Sequence, residues 1–369
     1  MSALHRIVLF VLACWVFIPL QAAAWDRGKA ELFATLPDGV RFPEGITANP
    51  ASGDIFVGTF DAPSPTNAPD NKLLRFDRHG RLEASRSFGP TPLLGLEFNP
   101  NDRKVYIAAV GDFSATGSRI VRIGANFDAN TAIEEVAPIP AIGAPGPRTV
   151  PNPDGSEDII TFGSGARVPN ALAFDRAGNL YVSDSFQGAI FRIQNAATCA
   201  PPACAATLVA HDPLLATAGF PPFGANGLAF SRDESALFIA NTGDDRVLKL
   251  DMASGQVTVF AESINGADGL AFDERGRLWV AANQADELVA LNEQGRVVAK
   301  LGDFEGIRKN GTPEGLLFPA SLVILGDDLF VTNLALPLTP TAGDEQEEDA
   351  RRYTISRLRA RIPGRDRGD

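Results

Sequence analysis

One pattern recurs six times along the chain and restricts its fold more than any other feature. It runs polar residue, glycine, short apolar run, turn, second apolar run. It reads "PEGITANPASGDIFVGTF" from Pro43, "LLGLEFNPNDRKVYIAAV" from Leu93, "PNALAFDRAGNLYVSDS" from Pro169 and "ANGLAFSRDESALFIANT" from Ala225. The last two copies are "ADGLAFDERGRLWVAAN" from Ala267 and "PEGLLFPASLVILGDDLFVTNL" from Pro313. Two apolar runs joined by a polar turn make a hairpin. Further short strands follow each pair, most clearly "DRVLKLD" and "QVTVFAE", then "DELVALN" and "RVVAKLG". Units that cannot bury both faces alone must stack on their neighbours. The expected fold is therefore all-β, a six-bladed β-propeller of four-stranded antiparallel blades with strands A to D running outward. The sixth repeat supplies A, B and a C strand at "YTISRLRAR" (353–361), but no D. The unassigned strand "ELFATL" (31–36) is predicted to close the last blade from the N-terminus, so that the two ends of the chain meet in one sheet.

A ring of this kind uses residues 25–369 as a single domain, and the 35 Gly and 27 Pro suit its many turns. The net charge of −12 argues against nucleic acid or an anionic membrane as partner. Residues 1–24 read as a signal peptide: a positive start through Arg6, an apolar run Ile7 to Leu20, and a small-residue cleavage site before Trp25. A lipoprotein reading through Cys14 would leave most of that apolar run on the mature chain. The expected location is periplasmic or secreted, with no stable membrane association after cleavage. In an oxidising compartment the remaining cysteines, Cys199 and Cys204 of "CAPPAC", suggest a local disulfide, since no further Cys or His lies nearby to complete a metal site.

The topology sorts loops by face. The A–B turns and most C–D turns are short, whereas the long insertions at 61–71, 139–168, 211–224 and 337–352 all fall in B–C or D–A slots, on the top face. Insertions gathered on one face mark the binding face.

Strand A is innermost, and the residue before its glycine, or the matching one, should point into the channel at the top. In blade order these are Glu44, Leu94, Asn170, Asn226, Asp268 and Glu314. One such residue would be an ordinary solvated strand end, but five oxygen-bearing side chains at equivalent positions form a set. Carboxylates crowded around a channel repel one another unless protonated or bridged by a cation. Carboxylate and amide oxygens without His or Cys are hard ligands that favour a divalent cation, Ca²⁺ foremost with Mg²⁺ or Mn²⁺ as alternatives, over zinc or copper.

The motifs "PEG" near the N-terminus, "NGLAFSRDESALFIANT" and "DGLAFDERGRLWVAANQADELVALN" resemble the SMP-30/gluconolactonase/LRE-like family, over essentially the whole mature chain and best from 226 to 303. The resemblance implies a metal-dependent lactonase or esterase-like hydrolase acting on a small-molecule lactone or ester. Its metal would be held by Glu44, Asn170, Asn226 and Asp268, with Asp268 also the general base. Glu314 has no counterpart in the family pattern and is open as a further ligand, a solvated carboxylate or, since ligation lowers a carboxylate's basicity, the general base in place of Asp268. The alternatives are a non-catalytic NHL-like propeller with a structural cation, and a strictosidine-synthase-like protein, which needs no metal. His79 falls on a bottom hairpin and His211 on a top loop, "GSGAR" (163–167) lacks nucleophile-elbow spacing, and Asp184, Asn241 and Asn333 end B strands as turn caps or pocket residues.

Overall fold

The computed structural model describes residues 27–64, 68–111, 117–163, 165–200, 204–339 and 341–362; the signal segment lies outside them. Six four-stranded antiparallel sheets form the blades, each ordered from the channel outward. The A strands are Pro43–Asn49, Leu93–Asn99, Pro169–Phe174, Ala225–Phe230, Ala267–Phe272 and Pro319–Leu325. They pack against one another around the axis, and the D strands form the rim. The only helical pieces among the described residues are 3₁₀ turns at Asn283–Ala285 and Gln346–Asp349.

Blade six closes as predicted. Its sheet runs Pro319–Leu325, Asp328–Asn333, Thr354–Arg359 and then Glu31–Thr35. The N-terminal strand pairs antiparallel with the last one, Glu31 opposite Arg357 and Thr35 opposite Thr354.

One expectation is corrected here. The sixth copy of the repeat begins at Pro319, not Pro313. Pro313–Gly315 belongs to a small hairpin with Phe304–Ile307, outside the blade. The misreading has a physical cause, because the same Pro-Glu-Gly triplet answers two different demands. Gly45 follows Glu44 in strand A, where an added Cβ would lie 2.0 Å from the Leu94 carbonyl oxygen of the next blade. Gly315 instead takes φ +80°, with an added Cβ 2.1 Å from the Asp303 carbonyl oxygen. Both positions require glycine, for unrelated reasons.

Apolar side chains fill the spaces between blades. Phe56, Leu73, Leu93, Leu96 and Val105 pack between blades one and two, and fully buried Trp279 packs between blades five and six. The Trp279 indole N–H donates to Asp273 at 2.9 Å, tying the A–B turn of blade five to its own sheet. Cys199 and Cys204 are disulfide-bonded in the C–D turn of blade three, as expected. Among the described residues no helix is long and apolar enough to cross a membrane. The insertion before blade three carries a hairpin that the sequence did not reveal, Arg148–Pro151 paired with Glu157–Ile160. Arg148 anchors it to Asp244 in the B–C turn of blade four.

Candidate metal centre and channel mouth

Every A–B pair carries a β-bulge at the same place. The register shifts between the first and fourth residues of strand A in all six blades, from Pro43/Ile46 to Pro319/Leu322. A bulge inserts an extra residue and re-aims its side chain. The re-aimed second residues are Glu44, Leu94, Asn170, Asn226, Asp268 and, in blade six, Ala320. The ring therefore holds four oxygen-bearing side chains rather than five.

The bulged backbone is clamped between blades. Ser183 Oγ takes the Ala171 N–H of its own blade at 2.9 Å and donates to the Asn226 carbonyl of the next at 2.7 Å. Thr332 Oγ1 does the same for Ser321 N–H (3.0 Å) and the Glu44 carbonyl (2.7 Å), across the closure of the ring.

Glu44, Asn170, Asn226 and Asp268 are all buried and line one cavity of about 230 Å³ at the top of the channel. A second ring, absent from the sequence expectations, stands one residue past the end of each B strand: Phe60, Val110, Ser185, Thr242, Asn283 and Leu334. It is polar in blades three to five only, and there it orients the first ring. Ser185 and Thr242 donate their hydroxyl protons to the carbonyls of Ala225 and Ala267, both at 2.8 Å. They can then only accept, and they do so from the amide N–H of Asn170 (3.0 Å) and Asn226 (2.9 Å). Fixing each amide nitrogen on a hydroxyl leaves its carbonyl oxygen available to the channel. Asn283 donates to Asp268 Oδ2 at 3.0 Å. The repeats did carry the signal, since "SDS", "ANT" and "AAN" end their B strands in polar residues where the other copies are apolar.

The donor set fits a hard cation. Among the described residues, Glu44 Oε2, Asp268 Oδ1 and Asn283 Oδ1 are buried oxygens with no hydrogen-bond partner. Two unpaired carboxylate oxygens at one cavity, Glu44 Oε2 and Asp268 Oδ1, are costly unless something positive meets them. Asn283 Oδ1 instead faces Gly266, where an added Cβ would lie 1.8 Å from it. Burial, and then the charge of Asp268, hold the Glu44 carboxyl well above the ordinary carboxylate range. Burial pushes Asp268 up to about 7, opposed by hydrogen bonds from Asn283 and Asn226. Without a cation the pair resists ionising; a divalent ion would reverse that. No three His, Cys, Asp or Glu side chains cluster among the described residues in a way that could hold a metal, so amide oxygens must complete any site here.

Glu314 lies elsewhere. Its side chain is 40% exposed on the outer hairpin and pairs with Arg308 at 2.6 Å. Neither a ligand nor a base role at the channel is open to it. His79 and His211 are exposed and line no part of this cavity. Asp184, Asn241 and Asn333 act as caps: Asp184 accepts from the Gln187 N–H at 2.9 Å, Asn241 donates to Leu214 and Ala216 carbonyls, and Asn333 accepts from Leu317 N–H. A larger cleft of about 790 Å³ lies on the bottom face between blades four and five. Of its three carboxylates, Asp273, Glu274 and Glu293, the first is already taken up by Arg277 and Trp279.

Below the site the channel narrows to about 70 Å³ beside Glu97 of blade two, a carboxylate the repeat pattern did not single out. Burial alone pushes it up to about 8. A carboxyl raised in the folded state binds its proton more tightly there, so it subtracts stability as pH rises from the ordinary carboxylate range to about 8. Glu97→Gln should therefore be more stable than wild type at pH 9 by on the order of 2 kcal/mol, less than the full shift because the channel has room for screening water, and about equal at pH 4. Denaturant unfolding of both chains across that range checks this; a difference that does not grow with pH would refute it.

Residues 216–302 match the SMP-30/Gluconolactonase/LRE-like region. No curated protein matches the chain. Among solved structures, a luciferin-regenerating enzyme is 14% identical, with TM-score 0.57 over 87% of this chain and 92% of its own. Regucalcin, a calcium-binding protein from Agrobacterium tumefaciens str. C58, is 16% identical, with TM-score 0.55 over 90% and 98%. A putative gluconolactonase is 15% identical, with TM-score 0.54 over 90% and 92%. Likeness at such identities speaks for the fold alone. The matched span covers blades four and five, including Asn226 and Asp268, so the chain is a six-bladed β-propeller that carries an SMP-30/gluconolactonase/LRE-like region.

Proposed function

We propose that the protein is an exported, divalent-cation-dependent hydrolase that opens a lactone or related ester at the mouth of the propeller channel. One observation carries this reading: Glu44, Asn170, Asn226 and Asp268 line the floor of one cavity, and the two carboxylates each keep a buried oxygen with no hydrogen-bond partner. These four residues would hold the ion, Ca²⁺ by the hardness of the donors. When bound, such an ion supplies Lewis-acid polarisation of a carbonyl and stabilises negative charge on its oxygen.

The chain's own residues do the rest. Asp268 takes the proton of the attacking water through Oδ1, the oxygen that no hydrogen bond engages. Asn283 holds the Asp268 carboxylate in one orientation through Oδ2, leaving Oδ1 free. Ser185 and Thr242 keep the amides of Asn170 and Asn226 from rotating. Phe223, packed against Phe60 at 6.3 Å and Phe186 at 5.4 Å between ring centroids, keeps bulk water from the floor. Export is supported by the sequence of residues 1–24 and by the disulfide.

Hydrolysis of a panel of lactones and aryl esters, with and without chelator, tests the reading. Turnover should require the cation, and Asp268→Asn should lower kcat by about 10³-fold. Stoichiometric cation binding with no turnover on any substrate would assign the propeller a non-catalytic binding role instead.

A further inference from the structure

We infer that the substrate is a compact apolar lactone or ester, bearing alkyl or aryl substituents, and not a polyhydroxylated sugar lactone. The inference rests on the hydrolase reading above and concerns what its pocket accepts. Polar groups of the cavity are confined to the floor; among the described residues every side chain of the wall is hydrocarbon or aromatic. Those walls come from two top-face segments, Phe220-Pro221-Pro222-Phe223 and Leu334 to Leu338, completed by Phe60, Leu94 and Phe318.

The wall's backbone offers little more. Pro221, Pro222 and Pro337 have no N–H to give. The N–H groups of Phe60, Phe223 and Leu334 are committed to the carbonyls of Phe42, Pro221 and Phe318. Phe318 N–H goes to Asp286 at 2.7 Å, and Leu338 N–H to Glu345 at 2.7 Å. A ring hydroxyl entering this mouth would lose water and find, among the described residues, no side-chain donor on the wall to replace it, which is the situation that strongly disfavours a buried polar group. Phe220 extends the apolar surface outward, 57% exposed at the rim. The small volume limits the ligand to a compact one, below the usual range for drug-sized molecules.

The step itself is ordinary hydrolysis. Water oxygen bonds to the acyl carbon, the acyl carbon to ring oxygen bond breaks, and the water proton ends on the released alkoxide, giving a hydroxy acid.

The test uses the mature full-length chain with calcium. Unsubstituted, propyl and pentyl δ-lactones, phenyl acetate and D-glucono-δ-lactone are compared by kcat/KM. The value should rise about 4-fold per methylene until the cavity is full, with gluconolactone at least about 100-fold below the propyl lactone. Leu336→Ser should shrink the propyl-to-unsubstituted ratio. Gluconolactone turned over as well as the propyl lactone would overturn the inference. Calorimetry with the Asp268→Asn protein separates the two readings: if no substrate turns over but propyl lactone binds more tightly than gluconolactone, the hydrolase reading falls and the apolar preference stands. Equal or reversed binding overturns the preference itself.

Discussion

Glu44→Gln should make the protein more stable without divalent cation and less responsive to adding it. In the folded chain Glu44 is buried, its Oε2 unpartnered, and its ionisation opposed by Asp268. Both carboxyls are raised relative to an unfolded chain, so with chelator present each subtracts stability as pH climbs from the ordinary carboxylate range, Asp268 through about 7. Replacing Glu44 by the neutral isostere removes one of the two charges and relieves the other. A gain of about 1–2 kcal/mol at pH 8 in chelator is expected, fading by pH 4, where the wild-type carboxyls are protonated as well. With calcium the order should invert. A cation bound only by the folded state stabilises by about 4 kcal/mol at a thousand times its Kd, and losing one of two carboxylate ligands removes most of that gain. Thermal unfolding of wild type and variant at pH 4 to 9, in chelator and in millimolar calcium, reads both effects. Equal calcium-induced shifts in the two proteins would show that no cation is held at Glu44.

Much of the architecture stood in the sequence because its causes are local. Alternating apolar runs and "NPASGD"-type turns specify hairpins wherever they occur, and six of them in series leave a closed ring as the way to bury every face. The bulge residues Glu44, Asn226 and Asp268 could be picked out because strand A must approach its neighbour closely just past each of them, and Asn170, followed by Ala171, by its matching place in the repeat. An added Cβ on Gly227 would sit 2.1 Å from the Asp268 carbonyl oxygen. Where that signal is imitated, position is lost. Gly315 satisfies a left-handed turn, so Glu314 looks like a ring residue while the true sixth position is Ala320. Asn283 escaped notice because its role depends on what lies across the bulge, a non-local relation that no single repeat displays. The top-face walls were harder still. That Phe223 reaches Phe60, or that Glu345 consumes the Leu338 N–H, follows from loop packing with no period to read.

Deleting the chain before Pro37 should unfold or aggregate the protein, although only one outer strand is lost. Glu31–Thr35 completes blade six, with Ala34 and Leu36 buried against Tyr353 and Ile355 and Phe33 edge-on to Phe330 at 4.7 Å between centroids. The residues just before it hold a second seam: Arg27 pairs with Glu287 of blade five, and Gly302 N–H donates to the Arg27 carbonyl at 2.8 Å. Removing them uncovers the whole Thr354–Arg359 edge, a template for pairing with another chain. Burial of two or three apolar side chains at about 2 kcal/mol each, with several ladder hydrogen bonds at about 1 kcal/mol, comes to roughly 8–10 kcal/mol. That is comparable to the entire stability of a typical domain. The consequence reaches the site, because Thr332 of blade six clamps the Glu44 carbonyl of blade one, and an opened ring frees that strand. A chain beginning at Trp25 should melt cooperatively and respond to calcium, while one beginning at Pro37 should do neither. A circular permutant that joins the ends and opens the Asp77–Gly80 turn on the bottom face should recover both. If the shortened chain instead melts like the longer one and still responds to calcium, the terminal strand is an ornament on a ring already closed without it.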